Sequence, residues 1–133
     1  MKIVSRILMS VLLFCLGVEV GAQEIKIEIT TPLDGATVKQ RHDVKGHVSD
    51  SKAIVIVVIR PTKTSEFWVQ PPVTVKKSGV WKVKAHFGRV GKDKGEEYEV
   101  RAFVNPSSTF SIGKIGNWPI AQAQSDVIDV TRN

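Results

Sequence analysis

Cysteine is nearly absent from this 133-residue chain, which carries only Cys15. A single thiol excludes an internal disulfide framework and any zinc site built from cysteines alone. Aromatic residues make up 7%, with one tyrosine, and no apolar run reaches the roughly 20 residues that a membrane-spanning helix needs. Also lacking after residue 23 is the three-to-four-residue apolar spacing of an amphipathic helix, so no helix of ordinary length is expected there. Ten glycines and six prolines are too few for a collagen-like chain. What remains is 42% hydrophobic and 24% charged, the balance of one small globular domain. Lysine and arginine number 19 against 13 aspartate and glutamate, a net charge of +6.

Residues 1–22 read as an export signal. Lys2 and Arg6 form a positive start, Ile7 to Val18 is an uncharged apolar stretch, and Val20-Gly21-Ala22 offers small residues before Gln23. The apolar stretch is 12 residues long, which suits a cleaved signal better than a permanent membrane span. Phe14 before Cys15 does not fit a lipidation site. Cleavage after Ala22 removes Lys2, Arg6 and Glu19, leaving 17 basic against 12 acidic residues, a net +5 over 111 residues with no cysteine. The expected location is the periplasm or the cell exterior, where disulfides are permitted but not required.

The period along residues 23–133, read as one domain, is two. Ile25, Ile27 and Ile29 alternate with Lys26, Glu28 and Thr30 before the turn Pro32-Leu33-Asp34-Gly35. Val44, Gly46 and Val48 share one face of a second strand. Ala53 to Ile59 is a continuous apolar run rich in valine and isoleucine, which fits a central strand covered on both faces. Phe67 to Gln70 is stopped by Pro71-Pro72, and Val73 and Val75 make a further short strand. Trp81, Val83, Ala85 and Phe87 then point inward against Lys82, Lys84 and His86. Tyr98, Val100, Ala102 and Val104 do so against Glu97, Glu99, Arg101 and Phe103. Asn105 to Gln124 reads as a long irregular stretch, and a last strand is expected near Asp126 to Val130. Short strands separated by turn signals predict an all-β antiparallel sandwich of about seven strands.

Several short motifs, in order, resemble those of bacterial immunoglobulin-like domains of exported proteins. Thr31-Pro32-Leu33-Asp34-Gly35-Ala36-Thr37-Val38 followed by Val44-Lys45-Gly46 is similar to their opening. Gly79-Val80-Trp81 resembles their Gly-x-Trp, and Gly95-Glu96-Glu97-Tyr98-Glu99-Val100 their Gly-x-x-Tyr-x-Val. The resemblance covers roughly residues 24–131 and implies an immunoglobulin-like sandwich acting as a spacer, adhesion or binding module. Trp81 is expected in the core. Tyr98 is expected to bury its ring and return its hydroxyl to nearby backbone as a tyrosine corner.

Catalytic and metal signals are weak. His42 and His47 are five apart and face opposite sides of a regular strand. His47 and His86 lie on outward faces of strands that neighbour in such a fold, yet Lys45, Lys82 and Lys84 flank them and oppose a cation. No HExxH, nucleophile elbow or phosphate loop occurs, so no enzyme activity, metal or cofactor is expected.

Two surfaces are candidates for binding. Lys45, His47, Lys82, Lys84 and His86, with Arg89, Lys92 and Lys94 in the following loop, could form a basic patch for an anionic envelope component. The plainer reading is that these lysines serve solubility and protect strand edges. Trp68, Phe103 and Trp118 could stack on a glycan. The plainer reading is that the long loop folds over them and buries them. The expected function is therefore a non-catalytic module binding a protein or envelope partner. A carbohydrate-binding module is the alternative, and a small secreted hydrolase comes third. Nucleic acid is a poor partner for an exported chain without a stacking motif.

Overall fold

The structure, a computed structural model, describes residues 24–133; residues 1–22, read from the sequence as an export signal, lie outside them. Among the described residues there are eleven strands and no helix. They are β1 (Ile27–Thr31), β2 (Ala36–Val38), β3 (Arg41–Val48), β4 (Val55–Pro61), β5 (Phe67–Val69), β6 (Thr74–Val75), β7 (Val80–His86), β8 (Glu97–Pro106), β9 (Gly113–Ile115), β10 (Ala121–Gln124) and β11 (Ile128–Arg132). They form two sheets. One has the order β1-β3-β7-β6, and the other β2-β11-β8-β4-β5-β9, with β10 also paired to β8. Among the described residues no helix is long and apolar enough to cross a membrane.

The main core lies where the inward residues of both sheets meet. Val44, Val48, Trp81, Val83, Ala85 and Phe87 come from the first sheet, and Val57, Ile59, Tyr98, Val100, Ala102, Val104 and Val130 from the second. The alternation in β7 is complete, with Trp81, Val83 and Ala85 buried and Lys82, Lys84 and His86 exposed. Trp81 is fully buried because its cross-strand partner is Gly46. A Cβ at Gly46 would collide with the Glu28 carbonyl oxygen and the Trp81 ring.

The strand count exceeds seven for local reasons. β2 follows the Pro32–Gly35 turn and pairs in parallel with β11, a long-range pairing that three residues do not advertise. The stretch read as irregular holds β9 and β10. The chain leaves β8, runs along β5 as β9, and returns to β8 as β10. This excursion covers the outer side of the second sheet. Val58, Phe67, Val69 and Phe103 are buried there, with Phe110, Ile115 and Trp118 packed over them. Phe103, on the strand's polar side by alternation, is thus as buried as the core. The apolar run of β4 has the same cause, since Val57 and Ile59 face the main core and Val58 the smaller one.

Ser125 separates β10 from β11. Residues 125–127 oppose only residues 101–102 between the pairs Gln124↔Phe103 and Ile128↔Val100, which makes a bulge. The Ser125 hydroxyl accepts the Ala102 amide at 2.9 Å, supplying the partner that the interrupted ladder withholds.

Candidate functional site

The outer face of the four-stranded sheet is built by the register of β3 on β7. That register sets Lys45 opposite Lys82, Asp43 opposite Lys84, Arg41 opposite His86 and His47 opposite Val80. Lys84 Nζ lies 3.1 Å from Asp43 Oδ1. The lysines hold the Asp43 carboxyl below its usual range, chiefly through contact with Lys84 and with added charge from Lys82 and Lys45. One carboxylate therefore serves three lysines. Among the described residues, neither Lys45 nor Lys82 forms an ion pair. Like charges directly opposite across strands are destabilising, so this pair gives the fold nothing.

The eight residues of the sequence-defined patch do not act together. Lys45, Lys82 and Lys84 form its centre. His47 and His86 do not approach each other, because their partners on β7 and β3 place them at opposite ends of the face. The six-residue step from Val80 to His86 is about 20 Å of strand. His47 Nε2 instead lies 3.1 Å from the Ser78 carbonyl. Arg89 is committed to Asp93, to which its Nε and Nη2 donate at 3.1 and 2.9 Å. Lys92 and Lys94 are exposed in the same loop, beyond the end of β7. Among the described residues no three His, Cys, Asp or Glu side chains are grouped to hold a metal ion.

The three aromatic candidates also separate. Phe103 is fully buried, and Trp118 packs edge-on against Phe67 at 4.9 Å between ring centroids and tilted against Phe103 at 5.8 Å. No shared platform forms, because the excursion lays the half-buried Trp118 over the fully buried Phe103 on the outer side of the sheet. Trp68 points to the other side of β5 and is 40% exposed. It borders a cleft of about 530 Å³ between β5 and the end of β7, with His86, Arg89, Asp93, Glu96 and Tyr98 along it.

Tyr98 buries its ring against Phe87, with centroids 5.7 Å apart. The expected return of its hydroxyl to backbone is not made: among the described residues that hydroxyl has no hydrogen-bond partner and lies beside Gly88 and Asp93. Burial and the neighbouring Asp93 charge raise its pKa.

Sequence reading missed the parts that shape this cleft. Asp93 has a left-handed backbone, φ 64°. Its carboxylate accepts the Arg89 amide at 2.8 Å as well as the guanidinium, and these bonds hold its pKa down to about 2. Arg132, buried at the far end of the chain, donates to the carbonyls of Phe87 and Arg89 and fixes the loop. The available signal was the glycine-dense 88–95 loop, whose Gly88 adopts φ 78° against Tyr98 and Asp93. No known protein family, characterised protein or solved structure matches the chain.

Proposed function

We propose that this chain is an exported, non-catalytic immunoglobulin-like module whose four-stranded face binds an anionic component of the cell envelope. The strand order supports the immunoglobulin-like reading, since β1 and β2 divide one opening segment between the two sheets and β3/β7 pack across from β4/β8. The observation that carries the binding role is the opposition of Lys45 and Lys82 with no acid between them. A face that retains such repulsion offers a partner two unneutralised ammonium groups on a rigid, flat sheet.

The test is capture from the envelope fraction with the tagged protein, followed by a salt gradient. Exposed charges are screened within about 8 Å at physiological ionic strength, so the partner should elute at moderate salt. The double variant K45E/K82E should fail to retain it. Equal retention by that variant would refute the role of this face. As to chemistry, Asp93, held as an anion by Arg89, suits ligand orientation better than proton transfer at neutral pH.

A further inference from the structure

The Trp68 cleft lies apart from the lysine face in both location and chemistry. Its walls are pinned at both ends. Gln70 is buried and joins the two sheets there: its Nε2 donates to the Trp68 carbonyl at 3.1 Å and its Oε1 accepts the His86 amide at 2.8 Å. At the other end, Arg132 and the Arg89–Asp93 pair hold the 88–95 loop. Between them stand an aromatic ring that is 40% exposed and the Tyr98 hydroxyl, which opens onto the cleft while the ring behind it is buried. A hydroxyl that opens onto a cleft can both donate to and accept from a ligand atom there.

From this arrangement we infer that the cleft is a binding site for a single neutral pyranose residue, stacked on Trp68 and hydrogen-bonded by Tyr98, Asp93 and Arg89. It is independent of the proposed lysine-face function. The volume, about 530 Å³, is within the ordinary range for small-molecule sites. A sugar presents an apolar face to an aromatic ring and hydroxyls, both donors and acceptors, around its rim. A paired guanidinium and carboxylate supply both complements with little net charge.

Charge balance disfavours the other ligand classes. A cation on Trp68 would be repelled by Lys114, whose Nζ lies 6.0 Å from the ring centroid, whereas a neutral ligand would not. The Asp93 charge is already answered by Arg89. An anion would meet Glu66, Asp93 and Glu96 along the same cleft.

The test is titration of the ¹⁵N-labelled protein, followed by ¹H–¹⁵N correlation spectra, with the methyl pyranosides of glucose, galactose, mannose and N-acetylglucosamine. Choline chloride and sodium phosphate serve as the competing probes. At least one glycoside should shift the Trp68 indole N–H and the Gly88 and Asp93 amides saturably. Trp68→Ala should weaken that binding about tenfold or more by removing the ring face. Tyr98→Phe, which keeps the ring on Phe87, should weaken it roughly three- to tenfold through the lost hydroxyl. Lys45→Glu should leave it unchanged. The proposal is overturned if no glycoside moves these signals, if choline or phosphate moves them more tightly than every sugar, or if Tyr98→Phe and Trp68→Ala both bind as the parent does.

Discussion

Replacing Phe103 with alanine tests whether the excursion after β8 is part of the folded core. Phe103 is fully buried among Val58, Phe67, Val69 and the half-buried Trp118. Transfer of its side chain from water accounts for about 1.5–3 kcal/mol. The cavity adds to this, because the walls are rings held edge to face at 4.9 Å and cannot readily collapse inward. The total should be in the usual range for Phe→Ala in a core, about 3–5 kcal/mol. A domain of this size has a total stability of about 5–15 kcal/mol, so the loss is a large part of it and should lower Tm by roughly 10–20 °C. Urea unfolding followed by far-UV circular dichroism and tryptophan emission measures the loss. Were the excursion only loosely attached, Phe103 would already be wet in the parent protein. A loss below about 1 kcal/mol with an unchanged denaturant slope would refute the packing argument.

Gly46→Ala should cost about 3 kcal/mol or more, since the new Cβ meets the Glu28 carbonyl and the Trp81 ring; a melt within a few degrees of the parent would contradict this. The depressed pKa of Asp93 means that its pairing with Arg89 contributes stability that is present above about pH 3.9 and is lost as pH falls through about 2. Asp93→Asn should therefore flatten the stability profile across that window, and an unaltered profile between pH 2 and 4 would count against the pair. Lys45→Glu should raise stability by about 0.2–1 kcal/mol at low salt by replacing a cross-strand repulsion with an attraction. The gain should shrink in 1 M salt, and a loss of stability would show that Lys45 has a folding role.

The alternations that built the main core were legible directly. Trp81, Val83, Ala85 and Phe87, and Tyr98, Val100, Ala102 and Val104, are buried on the side their period of two assigns. The continuous apolar run of β4 announced a strand covered on both sides, but not that residues 107–124 would supply one of the covers. Those residues carry three- and four-residue strands whose pairing depends on partners about 15 to 50 positions away, such as Phe67↔Ile115. A pattern confined to so few residues cannot declare a face. The lysine face was legible as a set of outward residues, yet its electrostatics depend on register, which alone decides that Lys84 meets Asp43 while Lys45 meets Lys82. The Trp68 cleft was the least legible, because Arg132 shapes it from β11, far along the chain, and Gln70 does so only by reaching His86 across the two sheets.

The two outer faces of the molecule differ in how completely the chain satisfies them. On the seven-stranded sheet, Arg60 is bonded to Glu99 at 2.7 Å and Arg101 Nε to the Ser125 carbonyl, while the excursion covers Val58, Phe67, Val69 and Phe103. Its two half-buried arginines thus have internal partners, and its rings are buried or half-buried. On the four-stranded sheet, the same chain leaves Lys45 facing Lys82 with no cover and one shared carboxylate nearby. Selection for folding alone has no reason to treat the faces differently, because an acid at either position would relieve the repulsion at no cost in packing. The asymmetry is understandable if the open face meets something negative that the chain itself does not provide. Residues that oppose their own fold locally are expected where function is exercised, and Lys45 and Lys82 meet that description.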